Sequence, residues 1–442
     1  MLKKYAWEKY DEKKLKKLEK LSAEYREFLD NGKTERECVD TIVNTIEAEG
    51  YRELEEIIKE GGKVQEGDKV YSVWMNKSIV MFQVGKKPLT DGLNILGAHI
   101  DSPRLDVKQN PLFEDIDHTF AYLDTHYYGG VKKYQWVTLP LAIHGVVVKK
   151  DGTTVELNIG ENEDDPVFFV SDLLIHLAAE QMEKKAAKVI EGEALDLIVG
   201  SRPLVFGEGE KETDEGKKKA ENVVKAGVLD ILKKNYDFEE DDFLSAELEV
   251  VPAGKAREAG FDRAMILAYG QDDRVCAFTS MRAMLDIKET DRTVCCILVD
   301  KEEIGSVGAT GMQSHFFENA VAELMSLKGE WCMHVQHGNT AVDDIHAIQC
   351  KDVCDRSATA DIDLSELGCL VGDSALVHDL AQMCHVLCIC IVGARLSSCT
   401  GKLVKYHACA QPCRIFQLKA GSVARIEAGA DIGGEHTAVC QT

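Results

Sequence analysis

Apolar residues recur every three or four positions through the first long charged stretch of the chain. Between residues 12 and 60 the sequence is rich in charged residues and in Leu and Ile, and Gly and Pro are almost absent. The repeat runs through Leu15, Leu18, Leu21, Tyr25 and Phe28. Because this spacing places the apolar side chains on one stripe of a helix, it predicts amphipathic helices that form an outer layer over a core.

Three later stretches have the pattern of strands. Residues 72–84 and 93–100 are strand-like and are separated by turn residues. The second of them, LNILGAHI, is apolar enough to be buried on both faces, as strands are in the middle of an α/β sheet. A comparable buried strand, TVCCILVD at residues 293–300, predicts that α/β character returns after Phe261.

The middle of the chain has a different pattern. Residues 137–159 are rich in β-formers and contain an Asp-Gly turn, which predicts paired strands. Residues 161–195 predict a strand followed by a helix, and residues 223–234 predict a further helix. The sequence LSAELEVVPAG then predicts a last strand, so this part reads as a separate, inserted domain.

The length of the chain supports this division. A chain of 442 residues exceeds the roughly 250–300 residues at which a single core stops growing. We therefore predict an α/β fold in which residues 1–104 and 253–442 form one domain, with a mixed sheet flanked by helices. Residues 105–252 form the second, β-rich domain.

Charge and hydropathy exclude several classes of partner. With 52 Lys and Arg against 76 Asp and Glu, the formal net charge is −24. This balance argues against nucleic acid as the main partner, because phosphate binding needs a clustered basic face. The amino terminus has no apolar signal region, and no run approaches the roughly 18 apolar residues of a membrane span. We expect no membrane interaction and a cytoplasmic location.

Three short segments carry the candidate chemistry. His99 and Asp101 end one buried strand, Asp272 lies in a carboxylate pair, and Glu302 and Glu303 follow another buried strand. Open α/β sheets place their sites at such carboxyl ends. A His, a bridging Asp and adjacent Glu residues are what a two-metal hydrolase needs, with one Glu as ligand and the other as base.

A structural interpretation competes with this one for each segment alone. A single His-x-Asp is structural about as often as it is functional, and an acidic doublet is more often the solvated end of a strand. Three such segments, each at the end of a β-like run, favour the chemical interpretation, since their coincidence is much harder to explain by chance.

The same segments resemble a known family. GAHIDSPRLDVKQNPLFED, HYYGGVKKYQWVTLPLAIHG, AYGQDDRVCAF and VDKEEIGSVGATGMQS are similar to the M18 metalloaminopeptidases, which include aspartyl aminopeptidase, in their bacterial form. The resemblance covers about residues 1–325. It implies that His99 and Glu303 ligate zinc, that Asp272 bridges two ions, that Glu302 is the general base and that Asp101 orients the His99 site.

The resemblance also carries expectations about assembly and substrate. It implies a zinc-peptidase-type catalytic domain with two zinc ions per subunit, manganese and cobalt being the alternatives, and peptide substrates with a free amino terminus. The inserted domain would drive dimerisation and assembly of dimers into a dodecamer. His144 matches a histidine that the family supplies to a neighbouring subunit's site. The alternative for His144 is a satisfied histidine at a strand end.

Cysteine marks a change near the carboxyl terminus. Eleven of the fifteen Cys residues fall within residues 326–442, where the resemblance stops. The family requires an Asp in a Ser-Ala-Asp-like motif and a His in a Met-His segment, and neither motif is recognisable. The nearest candidates for these two metal ligands are Asp343, Asp344, Asp361 and His436. The segment is therefore either a frameshifted reading or a divergent region that rebuilt the site.

Three functions remain open from the sequence. The first is a zinc-dependent aminopeptidase that uses two metals and a Glu base. The second is a catalytically inactive, oligomeric M18-like scaffold, because the later metal ligands are missing. The third is a related deacylase or amidase, against which the LPLAIHG and QDDRVCAF matches argue.

Overall fold

The computed structural model describes residues 6–205 and 221–330. Its helices and strands follow in chain order. The helices are α1 (Glu12–Asn31), α2 (Glu35–Ala48), α3 (Leu54–Lys59), α4 (Ala179–Met182), α5 (Val223–Tyr236), α6 (Gln271–Asp286) and α7 (Phe316–Lys328). The strands are β1 (Arg52–Glu53), β2 (Lys69–Trp74), β3 (Ser78–Gln83), β4 (Asn94–His99), β5 (Arg104–Glu114), β6 (Ala121–Tyr128), β7 (Leu141–Val148), β8 (Thr154–Ile159), β9 (Leu197–Gly200), β10 (Ala246–Pro252), β11 (Arg257–Ala259), β12 (Met265–Leu267) and β13 (Val294–Val299).

The chain divides into two compact units. The first unit contains Met1–Asp101 and Gly270–Thr442, and the second unit contains Ser102–Tyr269. The unit boundaries therefore lie at 101/102 and 269/270, whereas the sequence pattern suggested 104/105 and 252/253. The later second boundary arises because the β11–β12 hairpin belongs to the second unit.

The first unit contains a mixed sheet of order β1-β2-β3-β13-β4 among the described residues. Strand β13 pairs parallel to β4 and antiparallel to β3. Every residue of β3 and of β13 is buried, as expected of strands that are covered on both faces. Helices α3 and α7 cover one face of the sheet through a shared apolar cluster that includes Leu54 and Phe316. The α/β class predicted from the sequence is confirmed.

The helices at the amino terminus form where the apolar stripe predicts them. Asp11 begins α1 by accepting a hydrogen bond from the Lys14 backbone N–H at 2.9 Å. Thr34 and Glu37 begin α2 with a reciprocal capping box, which satisfies backbone N–H groups that have no partner inside the helix. Phe28 on the buried stripe of α1 packs against Phe278 of α6.

The second unit is built on a six-stranded antiparallel sheet of order β8-β7-β10-β5-β6-β9. Strands β6 and β8 alternate between buried and more exposed residues along much of their length, whereas β7 and β10 each contain four consecutive buried residues. Helix α5 packs on this unit's apolar cluster through residues such as Val224.

One turn was not predicted from the sequence, and one predicted helix is wrong. Residues 72–84 are strand-like as predicted, but a turn with Met75 and Asn76 at positive φ divides them between β2 and β3. Asn tolerates this backbone conformation, whereas Met carries no turn signal. Residues 161–195 contain isolated bridges, the four-residue helix α4 and two three-residue 3-10 turns, and they leave Leu174 and Leu177 exposed. An apolar pattern predicts a helix only where a packing partner covers the apolar side.

Candidate metal centre

The candidate site lies at the carboxyl ends of two neighbouring parallel strands. His99 is the last residue of β4, and it lies opposite Val299, the last residue of β13. The backbone N–H of Ile100 still donates to the Val299 carbonyl at 2.8 Å, so the two strands end together. Chemistry-bearing residues that follow these strands are therefore brought to one edge of the sheet, as predicted.

The His99 side chain is buried, and its two ring nitrogens face different partners. Nδ1 lies 2.9 Å from the Asp101 carbonyl oxygen, which can only accept a hydrogen bond. Nε2 lies 3.4 Å from Oδ1 of Asp272 and 3.8 Å from Oε2 of Glu302. Because Nδ1 must carry a proton to bond a carbonyl, Nε2 is the nitrogen directed at the carboxylates.

Asp101 connects the two strand ends through its buried carboxylate. Its Oδ1 accepts from the Glu302 backbone N–H and its Oδ2 from the Glu303 backbone N–H, both at 3.2 Å. Oδ1 also lies 3.3 Å from His99 Nδ1. One side chain therefore fixes both the histidine and the backbone that carries the two glutamates.

Asp272 and Asp273 begin helix α6 with different exposures. The Asp272 side chain is 70% exposed and lies beside His99, whereas the Asp273 side chain is fully buried. The two residues are joined by a cis peptide bond. Burial raises the pKa of Asp273 to about 7, although the nearby charge of His99 opposes the shift. The motif predicted Asp272 as a site residue, whereas the burial of Asp273 was not predicted from the sequence.

Arg274 is the other residue of this motif that sequence reasoning left without a role. Its guanidinium is buried, and it donates from Nε to Cys38 Sγ at 3.1 Å and to the Lys33 carbonyl at 2.9 Å. These bonds join the start of α6 to α2 and to the loop that precedes α2. Its position directly after the carboxylate pair in Gln-Asp-Asp-Arg is the sequence feature that could have indicated a role for it.

Glu302 and Glu303 lie in a short 3-10 turn, Glu302–Ile304, directly after β13. Lys301 before the turn and Gly305 after it both adopt positive φ. Burial raises the pKa of Glu302. Burial also raises the pKa of Glu303 to about 7, against the lowering effect of the His99 charge, and the carboxylates of Asp272 and Asp101 raise it further.

The pKa of His99 completes the charge pattern. Burial alone would lower it, but hydrogen bonds to Asp101 and Asp272 and the charges of Asp273 and Asp101 raise the pKa well above its usual range. A raised pKa on a buried histidine means that positive charge is favoured here. The surrounding carboxylates would favour a metal cation for the same reason.

The donor set fits a zinc ion. Zinc binds His nitrogen and carboxylate oxygen at about 2.0–2.2 Å in a tetrahedral arrangement, which separates two ligand atoms by about 3.3–3.5 Å. The 3.4 Å between His99 Nε2 and Asp272 Oδ1 matches that separation. Metal-binding histidines usually donate a hydrogen bond from their other ring nitrogen to a carbonyl or carboxylate, as His99 Nδ1 does to the Asp101 carbonyl.

His144 lies in the second unit, inside β7 and not at a strand end. It is paired in the sheet with Glu249 of β10 and Asn158 of β8, and its side chain is fully buried. Nε2 lies 3.1 Å from Oε1 of Glu161. The contact is that of a satisfied buried histidine, and the predicted role at a neighbouring subunit's site stays a prediction.

The four candidate ligands from the end of the chain lie outside the described residues. These are Asp343, Asp344, Asp361 and His436. The structure thus brings together His99, Asp101, Asp272, Glu302 and Glu303, which are the residues proposed from the sequence within the first unit.

Comparison with known proteins identifies the family. Residues 28–349 match the model of the aminopeptidase I zinc metalloprotease family, M18. A protein of Clostridium acetobutylicum described as a probable M18 family aminopeptidase 1 is 58% identical over 333 residues, which cover 75% of this chain and 69% of that protein. The chain therefore belongs to the M18 family of metalloaminopeptidases, hydrolases that act on peptides.

Solved structures agree with this assignment. Aminopeptidase I of Clostridium acetobutylicum shares 56% identity with a TM-score of 0.64, over 75% of this chain and 70% of that one. An M18 aminopeptidase of Thermotoga maritima shares 39% identity with a TM-score of 0.68, over 80% of this chain and 71% of that one. Among the described residues, no helix is both long and apolar enough to span a membrane.

Proposed function

We propose that this chain is a zinc-dependent aminopeptidase that removes amino-terminal residues from peptides with a free amino group. The observation that carries the proposal is the convergence of His99, Asp272 and the Glu302–Glu303 pair at the carboxyl ends of β4 and β13. Membership in the M18 family supports the reaction class.

In this proposal His99, Asp272 and Glu303 are the residues that would hold zinc, and Asp272 would be the ligand shared by two ions. The shared role is supported by the 70% exposure of the Asp272 side chain beside His99. When bound, the zinc ions supply positive charge that polarises the scissile carbonyl and binds the free amine. Manganese and cobalt are the alternative ions.

Glu302 is the proposed general base. It takes a proton from the attacking water and returns it to the leaving amine, so that one carboxyl serves both halves of the reaction. Burial raises its pKa, which brings this carboxyl closer to the range in which proton transfer at neutral pH is efficient. Asp101 fixes the base by accepting the hydrogen bond of the Glu302 backbone N–H.

A substrate panel tests the proposal. The zinc-loaded protein should release amino acids from peptides with a free amino terminus and should leave acetylated copies of the same peptides intact. Hydrolysis of acyl-amino acids with no cleavage of free-amine peptides would instead support the deacylase or amidase alternative. The panel should vary the first residue, because the net charge of the chain does not determine the local charge of a subsite.

A second candidate is an inactive M18-like scaffold. It is favoured by the carboxyl-terminal sequence, because the two later ligand motifs of the family are not recognisable there. The match to the family model also ends at residue 349. Translating the coding DNA beyond codon 325 in the other two frames distinguishes a frameshift from divergence. Recovery of Ser-Ala-Asp and Met-His motifs supports a frameshift, and their absence from every frame rejects it.

We also propose that the second unit mediates assembly into dimers and then a dodecamer. One structure of the same fold, 19% identical with a TM-score of 0.52, is described as the S. cerevesiae mApe1 dodecamer. The exposed side chains of Leu174, Ile175 and Leu177 in the second unit are consistent with an interface. Light scattering should give the mass of an oligomer, and a monomer at micromolar concentration would reject the assembly. A cytoplasmic location is proposed with it, to be tested by cell fractionation.

A further inference from the structure

The loop that carries the two glutamates has a backbone that is costly to form. It runs from Lys301 to the start of α7 at Phe316 and contains only the short turn Glu302–Ile304. Lys301 and Ser306 both adopt positive φ although neither is a glycine. Such residues persist where the surroundings hold them, so this loop must be tied down by other groups.

Asp300 is the last residue before the loop, and its carboxylate accepts hydrogen bonds from two residues of the loop. Oδ1 accepts from the Lys301 backbone N–H at 2.7 Å. Oδ2 accepts from the Thr310 hydroxyl at 2.5 Å, ten residues further along the chain. The first bond holds the positive-φ residue at which the loop begins, and the second fixes the returning part of the loop.

Ser78, the first residue of β3, completes the arrangement. Its hydroxyl accepts from the Asp300 backbone N–H at 3.1 Å and donates to the Thr310 carbonyl at 2.7 Å. Thr310 is thus held through its side chain by Asp300 and through its backbone by Ser78. We refer to Asp300, Thr310 and Ser78 as the Asp300 network.

The Asp300 network is buried. Asp300 and Ser78 are fully buried, and Thr310 is nearly so. In such surroundings a lost hydrogen bond leaves a polar group without water to replace its partner, so each bond contributes more than it would at the surface. The loop is also held by the Trp74 indole N–H, which donates to the Ala309 carbonyl at 2.8 Å.

The glutamate pair is therefore held from two strands. Asp101 after β4 accepts the backbone N–H groups of Glu302 and Glu303. Asp300 at the end of β13 fixes the residue before the pair and the part of the loop that closes back on it. The two aspartates accept hydrogen bonds from different groups of the loop, so neither can replace the bonds that the other makes.

We propose that Asp300, acting through Thr310 and Ser78, is a positioning residue for the active-site loop. It sets the backbone from which the Glu302 base and the Glu303 ligand project, and it touches neither substrate nor metal itself. The functional part of this statement rests on the proposed aminopeptidase function, whereas the ordering of the loop does not.

The test compares two substitutions of Thr310 in the full-length chain. Thr310→Val removes the hydroxyl at nearly constant shape, and Thr310→Ser retains it as the matched control. Hydrogen exchange followed by mass spectrometry is measured on peptides that cover residues 301–313. Thr310→Val should raise exchange in these peptides by about five- to tenfold, and Thr310→Ser should stay within about twofold of the original chain. Peptides from α1 and from α5 in the second unit should not change.

Two results would overturn the proposal. One is unchanged exchange at residues 301–313 in Thr310→Val. The other is an equal rise in α1 and α5, which would mean general destabilisation. Asp300→Asn, which retains the size of the side chain, provides a second variant with the same expected pattern.

Activity provides an independent readout. In an active preparation, Thr310→Val should lower kcat by about tenfold and leave KM within about twofold, because the loop positions the base and not the bound peptide. A change in KM alone would contradict the positioning of Glu302. If the original chain hydrolyses no peptide, the proposed function fails, and the exchange measurement still decides whether the Asp300 network orders the loop.

Discussion

The candidate site of the first unit and the core of the second unit handle buried polar groups differently. In the core of the second unit, such groups lie next to complementary partners: Arg104 lies 3.1 Å from Glu249, and His144 lies 3.1 Å from Glu161. In the first unit, the carboxyl groups around His99 outnumber it, since Asp101, Asp272, Asp273, Glu302 and Glu303 all act on one imidazole or on each other.

This difference indicates where the chemistry lies. A buried ion pair satisfies itself, whereas a surplus of carboxylates needs protons or cations from elsewhere. The raised pKa values of Asp273 and Glu303 mean that protonation of these two carboxyl groups is favoured in the first unit. The same surplus would be relieved by divalent cations, which is the physical basis of the proposed zinc site.

The largest expected effect is on catalysis in the first unit. Glu302→Gln keeps the shape of the side chain but removes the base, so kcat should fall by about 10²- to 10⁴-fold. Zinc content should stay the same, because Glu302 is not a proposed ligand. Steady-state kinetics with parallel metal analysis checks both parts, and activity within about tenfold of the original chain would reject the base assignment.

Asp101 should affect metal binding next most strongly. Asp101→Asn weakens the contacts that orient His99 and the glutamate backbone, and such changes around a metal site typically cost about 10- to 100-fold in affinity. Competition with a zinc indicator measures this. Asp91→Asn, at an exposed aspartate just before β4, is the matched control and should leave the affinity unchanged. Equal effects from the two variants would argue against an orienting role.

The paired histidine of the second unit should behave in the opposite way. Glu161→Gln replaces the carboxylate 3.1 Å from His144 Nε2 with a neutral amide, and we expect the free energy of unfolding of the second unit to fall by about 1–3 kcal/mol. Zinc affinity should not change. Denaturant unfolding measures the first effect, with Glu156→Gln on the neighbouring strand as control. A loss of turnover without loss of stability would favour the inter-subunit role of His144.

The smallest expected effect is a pH dependence of stability in the metal-free protein. Asp273 and Glu303 have folded pKa values of about 7, above the ordinary values of 3.8 and 4.5, so the folded state binds more protons than the unfolded state in this range. The first unit should therefore lose stability as pH rises from about 4.5 to 7. Since zinc replaces these protons, zinc should raise Tm more at pH 7.5 than at pH 5.5. An equal rise at both pH values would contradict this coupling.

Much of the first unit could be predicted because its strands have unambiguous patterns. The apolar runs that end in His99 and Asp300 are too continuous to form anything but buried strands, and parallel strands that end together bring their following residues together. His99, Asp101, Glu302 and Glu303 follow from this rule, whereas Asp272, at the start of α6, was predicted from its motif alone.

What the sequence could not predict depends on tertiary contacts. The network of Asp300, Thr310 and Ser78 joins residues more than two hundred positions apart, and the sequence carries no local signal for it. The burial of Asp273 follows from the packing of α6 and not from its neighbours in the chain. The helix predicted within residues 161–195 is wrong for a related reason, since the structure leaves its apolar residues Leu174, Ile175 and Leu177 exposed.

The count of zinc ions per chain tests the central claim most directly. The purified protein is exposed to zinc, excess metal is removed, and released ions are measured by mass spectrometry against protein concentration. The account predicts about two tightly held ions per chain, as expected for a two-metal hydrolase. A value near zero would contradict it and would favour the inactive scaffold.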